Sequence, residues 1–317
     1  MAQKIGFNTK RCSDEEFRAL YETYGGQEAA RILRCTISAV FKRKKNLEKH
    51  SPPIVAPTNQ QDAIEYPHRA ELKITNGVVI VGSDFHIWPG TESTALRAFK
   101  KLCKDLKPAA VILNGDVLDF PQISRHPSIM WENTPFPVDE LEAAQDHLND
   151  IAKACGRAHK IWPLGNHDAR FETFIAKNAP QMRGVHGVHL ADHFGLWQKA
   201  WSCWINDDVV VKHRFKGGIH ATHNNTLWAG KTMVTGHLHS QRVTPLTDYN
   251  GTRYGIDTGC VANPNHAAFV GYTEDNPKNW ISGFVVLKFH NGRLMYPELV
   301  SVWDKNSVQF RGEILKV

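Results

Sequence analysis

Five runs of apolar, mostly β-branched residues in this 317-residue chain each lead into a short polar patch. Residues 78–81 precede Asp84-Phe85-His86, and residues 111–113 precede Gly115-Asp116-Val117-Leu118-Asp119. Residues 161–164 precede Gly165-Asn166-His167-Asp168, residues 209–211 precede His213, and residues 232–235 precede Gly236-His237-Leu238-His239. A short apolar run bounded by turn-forming residues reads as a strand buried on both faces, and its last side chains emerge at one edge of a sheet. Five such edges brought together collect hard carboxylate and amide oxygens with borderline imidazole nitrogens. That donor set suits Mn²⁺, Fe or Zn²⁺ better than an all-oxygen Mg²⁺ or Ca²⁺ cage.

Composition sets the outer limits. The length allows one large domain and a small one, and 42% hydrophobic with 22% charged residues is ordinary for a soluble globular chain. No apolar run reaches bilayer-spanning length, and the sequence from Met1 to Gly6 lacks the apolar core of a secretory signal. The expectation is a cytoplasmic protein with no membrane partner. Cysteines 12, 35, 103, 155, 203 and 260 show no CxxC pair or repeated spacing, so reduced thiols are expected rather than a disulfide framework.

The net charge of +6 is concentrated at one end. Residues 1–50 hold eleven Lys or Arg against six Asp or Glu, while the remaining residues hold 27 against 26. A localised basic segment is the footprint of a polyanion-binding module. Helices are expected at 13–24 (capped by Ser13 or Asp14), 27–34 and 36–48, with a break at Gly25-Gly26 and a turn at Cys35-Thr36. In this reading Phe17, Leu20, Tyr21 and Tyr24 share one face. Ile37, Val40, Phe41 and Leu47 lie inside, and Lys42, Arg43, Lys44 and Lys45 lie largely outside. The arrangement resembles helix-turn-helix DNA-binding domains, which implies that the third helix enters the major groove of duplex DNA. Thr36 and Ser38 would then lie near base edges and Lys42, Arg43, Lys44 and Lys45 near phosphates. Residues 51–71, with Pro52, Pro53, Pro57 and Pro67, read as a semi-extended linker.

From residue 72 to 317, strand-like runs alternate with helical segments, including 92–106 and 139–155. After about residue 203 strands dominate, with hairpin signals at Asn250-Gly251 and Asn291-Gly292. The five ordered motifs resemble the calcineurin-like metallophosphoesterase superfamily, whose members hydrolyse phosphate esters at a two-metal centre. The resemblance implies an α/β fold, a two-sheet αββα metallophosphoesterase sandwich, here preceded by the small three-helix helix-turn-helix-like domain.

The resemblance also implies a division of roles. Asp84, His86 and His239 would hold one divalent metal, Asn166, His213 and His237 the other, and Asp116 would bridge both. Manganese is the first expectation, with iron, zinc or magnesium as alternatives. Such a pair activates water as the attacking hydroxide. His167, next to Asn166, would project over the pair without ligating and either protonate the leaving oxygen or stabilise the charge developing on it, while Asp119 and Asp168 would orient imidazoles. His213 ends a strand, but Arg214 follows it where the family usually has glycine, so His220 and His223 remain alternatives. Arg170, His220, His223 and Asn224 are candidate substrate contacts, although Arg170 has Glu172 as a simple ion-pair alternative. Trp88, Trp131 and residues 121–137 are candidates for a cleft wall. The trio His186, His189 and His193 reads as surface or core histidines.

Asp119 is followed by Phe120-Pro121, and Asn166-His167 by Asp168, which departs from the protein-phosphatase pattern and looks more like the nuclease and phosphodiesterase branches. The leading expectation is a dinuclear-metal phosphodiesterase acting on DNA, endo- or exonucleolytic. The alternatives are a phosphomonoesterase, protein phosphatase or cyclic-nucleotide phosphodiesterase with an accessory helical domain, and a DNA-binding regulator with a vestigial site. No heptad seam marks an oligomer interface.

Overall fold

In the computed structural model, helix α1 (Asp14–Ile32) begins at a reciprocal cap. Ser13 Oγ accepts the Glu16 N–H at 3.1 Å and Glu16 Oε2 accepts the Ser13 N–H at 2.7 Å, satisfying two amides the first turn would leave unpaired. Gly25 adopts φ 74°, so α1 is two helical segments separated at the expected break. Helix α2 (Ile37–Leu47) starts at Thr36, whose hydroxyl accepts the Ala39 N–H at 3.2 Å. Phe17, Tyr21, Ala29, Ala30, Leu33, Val40 and Ile54 form the core of this unit.

Two expectations for these helices are corrected. Val40 faces the core, but Ile37, Phe41 and Tyr24 are exposed. Arg43 is not on the outer face. Its Nη2 donates to Cys12 O at 2.9 Å and to Asp14 Oδ1 at 2.6 Å, and its guanidinium lies 4.6 Å from the centre of the Phe17 ring.

The structure describes residues 12–54, 66–126, 133–266, 269, 273, 276 and 278–317, and the chain forms two compact units, Met1–Ala63 and Ile64–Val317. The second unit holds two sheets. In the larger one, β2 (Gly77–Gly82), β3 (Ala110–Leu113), β4 (His159–Pro163) and β5 (Gln198–Ala200) run parallel. Antiparallel strands β11 (Gly283–His290), β13 (Glu298–Asp304), β14 (Ser307–Phe310) and β15 (Glu313–Lys316) extend it beyond β2, and β12 (Arg293–Leu294) pairs with β11. The smaller sheet has the order β1 (Ala70–Leu72), β6 (Cys203–Ile205), β7 (Val209–Val211), β8 (Thr232–Thr235), β10 (Gly251–Asp257) and β9 (Arg242–Asp248).

The alternation of strand side chains separates two cores. Val79 and Val81 join Ile112, Ile161, Val211, Val234 and Val285 between the sheets. Ile80, one residue out of phase, joins Val111, Leu113 and Trp162 under helices α3 (Thr94–Leu106), α4 (Pro137–Cys155) and α5 (Asp168–Asn178). Val79, Ile80 and Val81 are fully buried, each contributing about 1.5–3 kcal/mol. The result is the expected αββα layering.

Helix α6 (Leu190–His193) is a single turn, and α7 (Ala221–Ala229) interrupts the strand-dominated second half, packing on β9 and β10. β1 starts two residues inside the segment read as linker, because Ala70 N–H finds Ser202 O at 2.9 Å and extends the smaller sheet. Asn291 and Gly292, with φ 49° and 77°, make the expected two-residue turn between β11 and β12. The other hairpin turns at Tyr249-Asn250, with Gly251 already paired opposite Asp248. All six cysteines are free thiols. Among the described residues no helix is long and apolar enough to cross a membrane.

Candidate metal centre

The C-terminal ends of β2, β3 and β4 in one sheet and of β7 and β8 in the other meet at one place, and the polar patches follow them directly. Adjacent loops bond to each other. Asp84 N–H donates to Gly115 O at 2.9 Å, His86 N–H to Asp116 O at 3.1 Å, and Gly236 N–H to His213 O at 2.9 Å. Side chains complete the stitching, with His237 N–H donating to Asp84 Oδ2 and His167 N–H to Asp116 Oδ1, both at 2.8 Å. Asp84, His86, Asp116, His237 and His239 all have positive φ, between 40° and 69°. Such backbone costs of order 1–3 kcal/mol per residue and persists where surrounding structure fixes it. In the first patch the alternation sends Phe85 and Ile87 into the core while Asp84 and His86 turn to the site. Gly165 is required by crowding: a Cβ there would overlap both the carboxylate and the amide nitrogen of Asp116.

Two clusters of donor atoms lie side by side, Asp84 with His86 and His239, and Asp116 with His213 and His237. His213 joins them, its Nε2 lying 3.0 Å from Asp116 Oδ2 and 4.0 Å from Asp84 Oδ1. Its Nδ1 faces Asn114 O at 2.8 Å, which assigns the proton to Nδ1 and leaves the Nε2 lone pair for the site. Asp119 Oδ1 does the same for His86, 3.2 Å from its Nδ1. His239 Nε2 lies 3.0 Å from Asp84 Oδ1. Among the nine buried side-chain polar atoms of the described residues with no hydrogen-bond partner are His86 Nε2, Asn166 Oδ1, His213 Nε2 and His239 Nδ1. Buried polar atoms are rarely left unpaired. Imidazoles of His86 and His239 grouped with Asp84, and of His213 and His237 grouped with Asp116, fit a pair of divalent cations.

Charge reinforces this reading. Burial alone would raise the Asp84 carboxyl, but His239 and His213 outweigh it and hold the group at about 2. Asp116 follows the same logic, burial opposing and His213 and His167 prevailing, so its pKa lies far below the usual carboxylate range. Burial would lower His213, yet Asp116 and Asp84 raise it to about 10 in the cation-free protein. Deep carboxylates held ionised among imidazoles are a charge arrangement that a divalent cation could take over.

His167 lies beside the centre. Its Nδ1 meets Asp119 Oδ1 at 2.5 Å and its Nε2 is 3.8 Å from Asp116 Oδ2. His86, Asp119 and His167 also fall within metal-binding reach of one another. Asp119 already bonds both imidazoles, so orientation is the better account of that grouping. Arg170 does not pair with Glu172. Its Nη1 donates to Asp119 O at 2.8 Å and its Nη2 lies 3.1 Å from His167 Nε2, while Glu172 is taken by Tyr66 and His189. Asp168 corrects another expectation because it orients a loop and no imidazole. Its Oδ2 accepts from Asp116 N, Gly165 N and Trp162 Nε1 at 2.8–3.0 Å, and its Oδ1 from Val117 N at 2.9 Å and Leu118 N at 3.3 Å.

Sequence reasoning missed Glu140. Fully buried, its Oε2 accepts the Asp119 and Phe120 amides at 3.1 and 2.8 Å. Burial, reinforced by Asp119, pushes its carboxyl up to about 8 against the Phe120 N–H. A signal exists in the sequence, since Glu140 occupies the apolar face of α4 with Leu141, Ala144, Leu148 and Ile151.

Other candidates lie apart. His220 and His223 enter none of the donor clusters found among the described residues, and sit at the start of α7 with Asn224. Trp88 lines a small cleft beside His86 and packs on His266, with ring centres 5.3 Å apart, whereas Trp131 lies outside the described residues. His189 and His193 bond Glu172 and Gly187 O. In the smaller unit Thr36 and Ser38 are exposed with Lys42 and Lys45, Thr36 serving as a helix cap, while Lys44 pairs with Glu48 at 3.3 Å.

The family model described as calcineurin-like phosphoesterase matches residues 77–291. The chain is 25% identical to the gene 54 protein of Mycobacterium phage L5 over 255 residues, covering 71% of this chain and 93% of that protein. The gene 54 protein of Mycobacterium phage D29 matches at 25% over 252 residues, with the same coverage. Among solved structures, Chaetomium thermophilum Vps29 aligns at 10% identity with a TM-score of 0.41, covering 75% of this chain and 96% of that one. Pseudomonas putida nuclease MPE aligns at 14% with a TM-score of 0.30, covering 69% and 86%.

Proposed function

The chain belongs to the calcineurin-like phosphoesterase family, and from that premise we propose that it hydrolyses phosphodiester bonds in DNA with two divalent metal ions. The observation that carries the hydrolytic part is the pair of donor clusters, Asp84 with His86 and His239 and Asp116 with His213 and His237, together with the buried, unpartnered His86 Nε2 and Asn166 Oδ1. In this reading Asp84, His86 and His239 would hold one cation and Asn166, His213 and His237 the other, with the Asp116 carboxylate available to both. When bound, the cations supply Lewis acidity toward the phosphate and a water acidic enough to attack near neutral pH.

The chain's own groups do the rest. Asp119 fixes the Nδ1–H of His167, which leaves Nε2 as the atom that would deliver a proton to the departing oxygen; here Nε2 accepts from Arg170 Nη2 at 3.1 Å, so that contact must open and Nε2 be protonated first. Asp116 and Asp119 keep the ring's proton affinity above its usual value despite burial, as a proton donor at neutral pH needs. Arg170 lies against the same nitrogen and places a fixed positive charge where negative charge grows. Asp168 and Glu140 hold the loop that carries Asp116 and Asp119.

DNA as substrate is supported by the excess of positive charge in residues 1–50 and by Thr36, Ser38, Lys42 and Lys45 exposed on or beside α2. Such a module raises local substrate concentration through its tether. The test compares supercoiled, linear and single-stranded DNA with bis-p-nitrophenyl phosphate and p-nitrophenyl phosphate, with Mn²⁺ supplied. Cleavage of DNA and the diester supports the reading, and cleavage of the monoester alone contradicts it. Replacing Lys42 and Lys45 by Ala should lower the salt slope of duplex binding by about 0.9 for each phosphate that is no longer neutralised. An unchanged slope removes this unit from DNA recognition.

A further inference from the structure

A groove of about 890 Å³ opens beside the metal centre, with Gly165, Asn166 and His213 on its floor. Five cations line it, Arg125, Arg170, Lys177, Lys212 and Arg214, and no carboxylate is among its described lining residues. This is a local arrangement, because residues 51–317 are almost neutral overall, with 27 basic against 26 acidic side chains. Among the described residues, Arg125, Lys177, Lys212 and Arg214 pair with no carboxylate. Three large aromatic rings stand exposed in the same groove, Phe174 at 44%, Trp201 at 41% and Phe215 at 48%. Single exposed apolar residues are ordinary, but three aromatics interleaved with cations beside a phosphoesterase centre are a patterned surface. Helix α5 contributes Arg170, Phe174 and Lys177 at the i, i+4, i+7 spacing of one helical face.

We propose that this groove binds an unpaired stretch of DNA strand, stacking its bases on Phe174, Trp201 and Phe215 and leading its phosphates along Arg125, Lys177, Lys212 and Arg214 to the metal centre. The inference rests on the phosphodiesterase reading above and specifies its substrate. Paired bases in a duplex offer side chains only their edges, whereas unpaired bases expose the faces on which aromatic rings stack. Interleaved aromatics and cations are the surface that tracks a single strand with little base preference. Continuity of the floor with Asn166 and His213 gives a bound strand a direct path to the centre.

The test uses the full chain with Mn²⁺ and two readouts. One is kcat/KM on a labelled oligothymidylate relative to bis-p-nitrophenyl phosphate. The other is binding of a cleavage-resistant phosphorothioate oligothymidylate by fluorescence anisotropy. Trp201→Ala, Phe215→Ala and Phe174→Ala should each lower the relative kcat/KM and weaken binding by about 5- to 100-fold, the range for losing one base stack. Phe215→Leu, apolar but without a ring face, should fall like the alanine variant, and Phe215→Tyr should restore function. Wild-type levels in all three alanine variants would overturn the groove assignment while leaving the phosphodiesterase reading intact. Equal losses on the oligonucleotide and the small diester, or full retention in Phe215→Leu, would likewise overturn it. An oligoglutamate that displaces the DNA as well as oligothymidylate does would show that charge alone is recognised, and would overturn it too. Oligonucleotide binding that depends on the aromatics, in a protein that cleaves no diester, would sink the phosphodiesterase reading and keep the groove.

Discussion

Asp168→Asn tests how the site is held together, because it changes one atom and almost no volume. The Asp168 carboxylate is buried and accepts five N–H groups, three at Oδ2 and two at Oδ1. An asparagine that keeps its carbonyl at the Oδ2 position retains the Asp116, Gly165 and Trp162 donors. Its NH₂ then faces the Val117 and Leu118 amides, so donors meet donors. Two buried amides without acceptors cost about 1–3 kcal/mol each, or about 2–6 kcal/mol together. At about 2–4 °C per kcal/mol for a unit this size, the unfolding midpoint should fall by at least about 4 °C. The loosened loop carries Asp116, so manganese affinity should fall by about 10- to 100-fold, the usual cost of removing a partner that orients a ligand. Circular-dichroism melts in EDTA isolate the folding term from stabilisation by bound metal, and equilibrium dialysis with Mn²⁺ reads the affinity. A midpoint within about 1 °C of wild type together with unaltered affinity would refute the role given to Asp168.

His167→Ala should lower turnover of bis-p-nitrophenyl phosphate by about 10²- to 10⁴-fold while elemental analysis finds the wild-type metal content; loss of metal would make His167 a ligand and not a proton donor. In the cation-free protein His213 titrates at about 10, raised by Asp116 and Asp84 against burial, so at pH 7–8 its ring carries a proton that a cation must displace. Calorimetric Mn²⁺ titrations in buffers of different ionisation enthalpy should therefore register release of about one proton, and affinity should weaken as pH falls; affinity independent of pH between 6 and 8 would contradict this. Gly165→Ala should prevent formation of the site, since the added Cβ meets Asp116's backbone as well as its carboxylate; a folded variant with normal metal content would show that the loops can separate.

The five strand-and-patch motifs were legible because each combines a continuous apolar run, buried on both faces, with a chemically distinctive ending, and every one lies at the same end of the two sheets. The helix boundaries near Ser13, Gly25 and Thr36 were legible too, since caps and glycine breaks act within a few residues. Long-range partners were not. Arg43 looks like surface charge until Cys12 and Asp14 are folded back onto it, and Asp168 looks like an imidazole partner until the Asp116 loop closes over it. Arg170 turned away from Glu172 because Tyr66 and His189 reach that carboxylate first. Glu140 left a trace, a carboxylate on the apolar face of α4, but its target 20 residues upstream is apparent only in three dimensions. Helix α7 carries too little amphipathic pattern to be read, because Thr222, Asn225 and Thr226 are its buried face.

The account depends on two cations sharing Asp116. Anomalous difference maps from crystals grown with manganese, measured on both sides of its absorption edge, address that directly. Two peaks are predicted, one among Asp84, His86 and His239 and one among Asn166, His213 and His237, with the Asp116 carboxylate between them. A single peak, a pair elsewhere, or no peak at these side chains would contradict it.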